Sequence, residues 1–169
     1  KAIGGSTDYN QALKQIASSV TSIKDIYATL AVRDIQDATD LMYPVYEQSQ
    51  TRDGYVSLEV SPDLAYNTQG TLDEAVRLHK AVGRDNVMIK VPATPEGIPA
   101  IEYLLSQGIN VNVTLLFSVE MYEQVAWAYV SGLEKLAARG GDVKKIASVA
   151  SFFISRIDTL VDSLLDAKL

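Results

Sequence analysis

The chain has 169 residues, 47% hydrophobic and 21% charged, which is enough length and apolar content for one globular domain and too much for a disordered segment. A formal charge of −6, with Lys144-Lys145 as the one adjacent basic pair, argues against a nucleic-acid partner, and no apolar stretch approaches the ~20 residues of a membrane span. Cysteine is absent, which excludes a disulfide framework, thiol catalysis and cysteine-ligated metal, and fits a reducing compartment such as the cytoplasm.

In chain order, Lys1-Ala2-Ile3-Gly4-Gly5 resembles neither a signal peptide nor an initiator methionine and reads as an internal cut. The first fifty residues carry a helical pattern from Thr7 or Asp8, interrupted around Thr21-Ser22, with Ser22 and Asp25 capping a restart. Pro44 lacks the amide hydrogen that a helix interior uses, so it is expected to bend or divide the second part. Asp34, Asp37 and Asp40, spaced three apart, read as a solvated face rather than a metal cluster.

From Tyr55 the period changes. Residues 55–60 are strand-like, Ser61-Pro62-Asp63 turns, and Thr71-Leu72-Asp73-Glu74 offers a capping box for a helix through Val82. His79, the single histidine, lies on that helix and is expected to be partly solvated, and its being alone excludes a histidine triad or multi-histidine metal site within this chain. Residues 87–91 are the next strand, and Thr94-Pro95-Glu96 supplies a cap, a first-turn proline and a first-turn acid for the following helix. Residues 110–116 are again strand-like. Ser118 then caps a long helix that ends at Gly140-Gly141, on which Trp127 and the tyrosines are expected to pack rather than hold a cofactor. Residues 146–152 open a fourth unit.

Strands alternating with crossover helices imply a parallel sheet, either doubly wound or part of a (β/α)8 barrel. No Gly-x-Gly-x-x-Gly or Walker pattern supports nucleotide binding. In both architectures reactive groups gather at the carboxyl ends of strands. That rule collects Glu59, Lys90, Asn112 with Thr114, and Ser151 with Arg156. Lys90 stands out because it interrupts the apolar run Val87-Met88-Ile89-Lys90-Val91. Burial disfavours the charged form of an amine, and a neutral amine adds to a carbonyl to form a Schiff base. Glu59 is suited to hold a water, Thr114 to orient it, Asn112 to donate to a substrate hydroxyl, and Arg156 with Ser151 to receive a phosphate. The residues alone leave plainer readings open. Lys90 can extend its stem to solvent, Glu59 can merely pair with it, Asn112 and Thr114 can satisfy backbone groups, and Arg156 can be a surface arginine.

Four segments together resemble the transaldolases. Ile89-Lys90-Val91-Pro92-Ala93-Thr94-Pro95-Glu96-Gly97-Ile98 is similar to the family's active-site lysine segment, and Gly108-Ile109-Asn110-Val111-Asn112-Val113-Thr114-Leu115-Leu116-Phe117-Ser118 to its fifth-strand segment. Val56-Ser57-Leu58-Glu59-Val60 and Ser151-Phe152-Phe153-Ile154-Ser155-Arg156 resemble the segments carrying its acid and its phosphate contacts. The resemblance implies an α/β fold, a (β/α)8 TIM barrel represented by about four βα units over residues 55–169 behind a helical segment at 1–52. It implies transfer of a dihydroxyacetone unit between sugar phosphates in the pentose phosphate pathway, without metal or organic cofactor. Lys90 would be the Schiff-base lysine, Glu59 and Thr114 the residues around the catalytic water, Asn112 a substrate-hydroxyl contact, and Ser151 with Arg156 the phosphate-side contacts. Lys1-Ala2-Ile3 resembles the stretch just after the family's second-strand segment, and Leu169 falls in the helix after its sixth strand, so strands one, two, seven and eight, and the first-strand aspartate, are expected to have no counterpart here. A related lysine aldolase releasing free dihydroxyacetone is the alternative enzyme. An inactive piece associating through exposed sheet edges is the alternative of another class.

Overall fold

The computed structural model describes residues 5, 7–18 and 22–168, so Thr21 and the comparison drawn for Lys1-Ala2-Ile3 lie outside the described residues. Helix α1 is Asn10–Ala17 and helix α2 is Ile23–Gln48. Ser22 occupies the N-cap of α2 without a side-chain cap bond, and Asp25 lies in the first turn, where a carboxylate complements the helix dipole. Of the two outcomes expected at Pro44, division does not occur, and α2 continues through it. The loss of one amide hydrogen is outweighed by anchoring on both sides. The carbonyl of buried Thr39 accepts from Asn86 Nδ2 at 2.8 Å, and Tyr46 packs edge-on against Tyr55 with ring centroids 5.3 Å apart. Asp34, Asp37 and Asp40 are all exposed, as expected of a solvated face, and two of them also take partners. Asp34 accepts from the Tyr9 hydroxyl at 2.7 Å, and Asp40 holds the Arg84 guanidinium at 2.5 and 2.9 Å. Among the described residues, no group of three or more His, Cys, Asp or Glu side chains converges as a metal site would require.

Four strands follow: β1 Val56–Glu59, β2 Val87–Pro92, β3 Val111–Leu116 and β4 Ser148–Phe152. Helices α3 Thr68–Val82, α4 Gly97–Ser106 and α5 Val119–Ala138 connect them, and α6 Ile154–Asp166 comes after β4. Helix α3 starts a turn before the expected capping box because Asn67 caps it, accepting from the Gly70 amide. Thr71 lies inside the helix and donates to the Leu64 carbonyl, while Glu74 takes the Ser61 amide at 2.8 Å. Ser118 does cap α5, accepting from the Met121 amide. Trp127, expected to pack, is instead 64% exposed. The face of α5 that packs carries small residues, and a Cβ on Gly132 would stand 2.8 Å from the Glu102 carbonyl oxygen of α4.

All pairings are parallel and the spatial order is β1-β2-β3-β4. A doubly wound sheet reverses its strand order at a switch point and covers both faces, whereas here successive strands step in one direction. Leu58, Val87, Ile89, Val91, Val111, Val113 and Leu116 form one core with Leu78 and Val82 of α3, Ile101, Leu104 and Leu105 of α4, and Val125 and Ala128 of α5. Alternation along the strands sends Ser57, Glu59, Lys90 and Asn112 to the opposite face. Asn112 of β3 donates across β2 to Ser57 of β1 at 3.0 Å. Strands two apart lie about 9–10 Å apart in a flat sheet, so that contact requires the sheet to curl toward the polar face. The architecture is part of a (β/α)8 barrel, with helices outside and the polar face inside.

Candidate active site

Strand β2 is central, and every residue in it is buried except Lys90, whose side chain is 29% exposed. Val87, Ile89 and Val91 face the helices and belong to the core, so the lysine stands on the inner face between Met88 and Pro92. Of the two readings left open for Lys90, burial and a stem reaching solvent, the partial exposure fits the second. Lys90 lies opposite Glu59 of β1 and Asn112 of β3 in the strand register. Its Nζ is 3.8 Å from Glu59 Oε2, beyond hydrogen-bond reach, and the Glu59 side chain is 52% exposed. A partly solvated pair of this kind contributes about 1 kcal/mol or less, too little to explain a lysine placed there for stability.

Asn112 is held at both ends of its carboxamide. Its Nδ2 donates to Ser57 Oγ at 3.0 Å, and its Oδ1 accepts from Ser151 Oγ at 2.8 Å. Thr114 lies two pairs along from Lys90, opposite Pro92, and is 1% exposed. Its hydroxyl has no hydrogen-bond partner among the described residues. Burying a hydroxyl in that state costs about 1–3 kcal/mol, a cost that a bound polar ligand would offset. Just beyond it Leu115 has φ of 61°, and the register between β3 and β4 shifts between Val113 and Leu116. Such irregularities re-aim side chains at strand ends, and this one returns Leu116 to the core.

The loop after β2 is fixed tightly. Thr94 Oγ1 accepts from the Gly97 amide at 3.0 Å and donates to the Ala65 carbonyl at 2.6 Å. Thr94 thus makes a cap-like bond to the Gly97 amide, but α4 begins only at Gly97 with Glu96 as its N-cap, so Pro95 and Glu96 precede the first turn instead of lying in it as expected. A Cβ at Gly97 would stand 2.1 Å from the Pro92 carbonyl oxygen, so only glycine fits against the end of the lysine strand. Arg156 lies in the exposed first turn of α6, with its guanidinium carbon 4.3 Å from the Phe153 ring centroid. The structure thus brings Glu59 to Lys90 and Ser151 to Asn112, whereas Arg156 rests on an aromatic ring.

An amine flanked by a carboxylate and a carboxamide on the concave face of a partial barrel suits carbonyl chemistry. A family model described as transaldolase/fructose-6-phosphate aldolase matches residues 1–168. The chain belongs to this family. It is 53% identical over 169 residues to the transaldolase of Trichodesmium erythraeum, covering 100% of this chain and 44% of that protein. It is 50% identical over 169 residues to transaldolase 2 of a Nostoc species, again covering 100% and 44%. With the transaldolase of Saccharopolyspora erythraea the identity is 48% over 167 residues, 99% of this chain and 45% of that protein. The chain thus spans less than half the length of these curated relatives.

Within this transaldolase-family fold, sequence reasoning overlooked Ser57. Its signal was present as the i, i+2 spacing to Glu59, which places both on one strand face.

Proposed function

We propose that this chain is the lysine-bearing part, residues 1–169, of a transaldolase barrel. The enzyme is a transferase that moves a dihydroxyacetone unit from a ketose phosphate donor to an aldose phosphate acceptor. The observation that carries the reading is Lys90 on the concave face, with Glu59 and Asn112 opposite it on the two neighbouring strands.

The neutral Lys90 amine adds to the ketose carbonyl carbon, and loss of water gives a protonated imine. The bond between the carbon beside the imine and the hydroxyl-bearing carbon beyond it then breaks, its electron pair passes into the imine to give an enamine, and that hydroxyl gives up its proton as the aldose leaves. The enamine carbon then adds to the acceptor aldehyde, whose oxygen takes a proton, and hydrolysis frees Lys90. Glu59 and Thr114 hold and orient the water that moves these protons, Asn112 donates to a hydroxyl of the retained unit, and Ser151 and Arg156 take the phosphate side. The amine and carboxylate supply the chemistry without a metal or organic cofactor. Our reading assigns this enzyme to the pentose phosphate pathway and the cytoplasm, with sugar phosphates rather than a nucleic acid or a membrane as its partners; the absence of cysteine and the formal charge of −6 support it. No helix among the described residues is long and apolar enough to cross a membrane.

Borohydride reduction in the presence of fructose 6-phosphate tests the proposal. A mass increment on the peptide containing Lys90, abolished by Lys90→Ala, is expected, and no increment there overturns it. Transfer to an aldose phosphate rather than release of free dihydroxyacetone distinguishes transaldolase from the aldolase alternative. Among the described residues, strands β1 and β4 each pair on one side only, so the isolated 169-residue chain associates through these edges. A monomeric mass by sedimentation at micromolar concentration would contradict that part.

A further inference from the structure

We infer that Ser57 is a positioning residue of the proposed site, clamping the Asn112 carboxamide together with Ser151 so that the amide keeps a fixed plane beside Lys90. The inference rests on the reading of Lys90 as the Schiff-base nucleophile.

A carboxamide has two donor hydrogens and two acceptor lone pairs, and the last torsion of an asparagine side chain is broad and two-fold rather than locked. Nothing in the residue itself therefore decides where its groups point. Here Ser57 reaches Nδ2 from β1 and Ser151 reaches Oδ1 from β4, at 3.0 and 2.8 Å. The two hydroxyls come from opposite sides of β3, and together they fix the amide plane. One N–H and one lone pair of Asn112 remain uncommitted among these contacts, in a plane set by the clamp, on the residue opposite Lys90. Ser57 is also two residues before Glu59 on the same strand face, so β1 supplies both the carboxylate beside the amine and one jaw of the clamp. Aim matters here because a donor that is misplaced by a fraction of an ångström loses much of its value in a reacting complex. A serine that only stitched β1 to β3 would affect stability and leave the chemistry alone.

The experiment follows borohydride-trappable adduct formation at Lys90 in the full chain with fructose 6-phosphate, in Ser57→Ala, Ser57→Thr, Asn112→Ala and the double variant Ser57→Ala/Asn112→Ala. Ser57→Ala is expected to slow adduct formation by about 5- to 10-fold, the effect of losing one orienting neutral hydrogen bond. Ser57→Thr keeps the hydroxyl on a strand-compatible side chain and restores the rate. In the Asn112→Ala background Ser57→Ala has no further effect, because its action passes through the amide. An unchanged rate in Ser57→Ala, or the same loss with and without Asn112, overturns the inference. The clamp has its own readout in the nitrogen-15 and proton resonances of the Asn112 side-chain NH₂, which Ser57→Ala should shift and Ser57→Thr should not. A full chain that forms no adduct overturns the Schiff-base reading and the positioning role with it. An Asn112 resonance unmoved by Ser57→Ala overturns the clamp while leaving Lys90 untouched.

Discussion

Asn86 gives a sharp test of how the helical segment is tied to the sheet. It is fully buried just before β2, and its Nδ2 donates to the carbonyls of Thr39 in α2 and Gly54 ahead of β1, at 2.8 and 2.9 Å. Its Oδ1 has no hydrogen-bond partner among the described residues. Asn86→Ala removes two hydrogen bonds of about 1 kcal/mol each and leaves buried carbonyls behind, but it also removes the unpartnered oxygen, so the net cost is about 2 kcal/mol. Asn86→Asp preserves size and turns the donor into an acceptor facing two carbonyl oxygens. The carboxyl then stays neutral, and holding a proton at pH 7 on a group of ordinary pKa ~3.9 costs about 4 kcal/mol. At about 2–4 °C per kcal/mol for a chain of this size, the melting temperature falls by about 4–8 °C for Ala and about 8–16 °C for Asp. The sign of the pH effect comes from the raised folded-state pKa. The folded Asp variant holds its proton where the unfolded chain does not, so its stability rises as pH falls, by about 2–3 kcal/mol between pH 7 and 5. Thermal and urea melts of both variants at the two pH values decide the matter. An Asp variant as stable as the Ala variant at pH 7, or a gap between them that fails to narrow at pH 5, refutes the reasoning.

Gly97→Ala pushes a methyl group against the Pro92 carbonyl and is expected to cost about 2–3 kcal/mol, with a slower Lys90 adduct, checked by melting and trapping on the same sample. Leu115 has a left-handed backbone, so Leu115→Val should destabilise by about 1–2 kcal/mol while Leu115→Gly should not, an ordering that denaturant melts can reverse. The Arg84 hydrogen bond holds the Asp40 carboxyl below its usual range, so the pair's contribution is present above the ordinary carboxyl pKa and is lost as pH falls through the lower folded value. Asp40→Asn should remove that part of the acid dependence, measured as stability from pH 5 down to 2. Ser118→Ala should cost about 1 kcal/mol through its lost cap, and Ser118→Asp should be tolerated, as read by urea midpoints.

The parts of the fold that were legible are those specified by neighbours in sequence. Strand β2 is one face of apolar residues buried under α3 and α4, and the cap at Ser118 needs only the amide three residues on. Elements misread from the sequence depend on distant partners. Thr71 and Glu74 form a capping pattern, but they find the Leu64 carbonyl and the Ser61 amide instead, and the helix starts earlier at Thr68, capped by Asn67. Trp127 has the size of a core residue, but the buried face of α5 runs through Val125, Ala128, Gly132 and Leu136, where close approach to α4 requires small side chains.

The candidate site divides along the same line. Glu59, Lys90 and Asn112 were found because strand alternation and the carboxyl-end rule both act locally, and the observed register sets the three side by side. Ser57 was missed because its contact with Asn112 exists only when the sheet curls, and curvature leaves no mark on a four-residue strand. Lys90 itself was found for a reason that the structure revises. A lysine in an apolar run suggests a charge buried in depth, yet its side chain keeps 29% exposure while its neighbours on the helix-facing side have none. The run is apolar because α3 and α4 cover one face of a central strand, and the lysine is compatible with it because it belongs to the other face. What distinguishes Lys90 is therefore its direction rather than its depth. It points with Glu59, Asn112 and Ser151 toward the concave side, where a carbonyl can reach it.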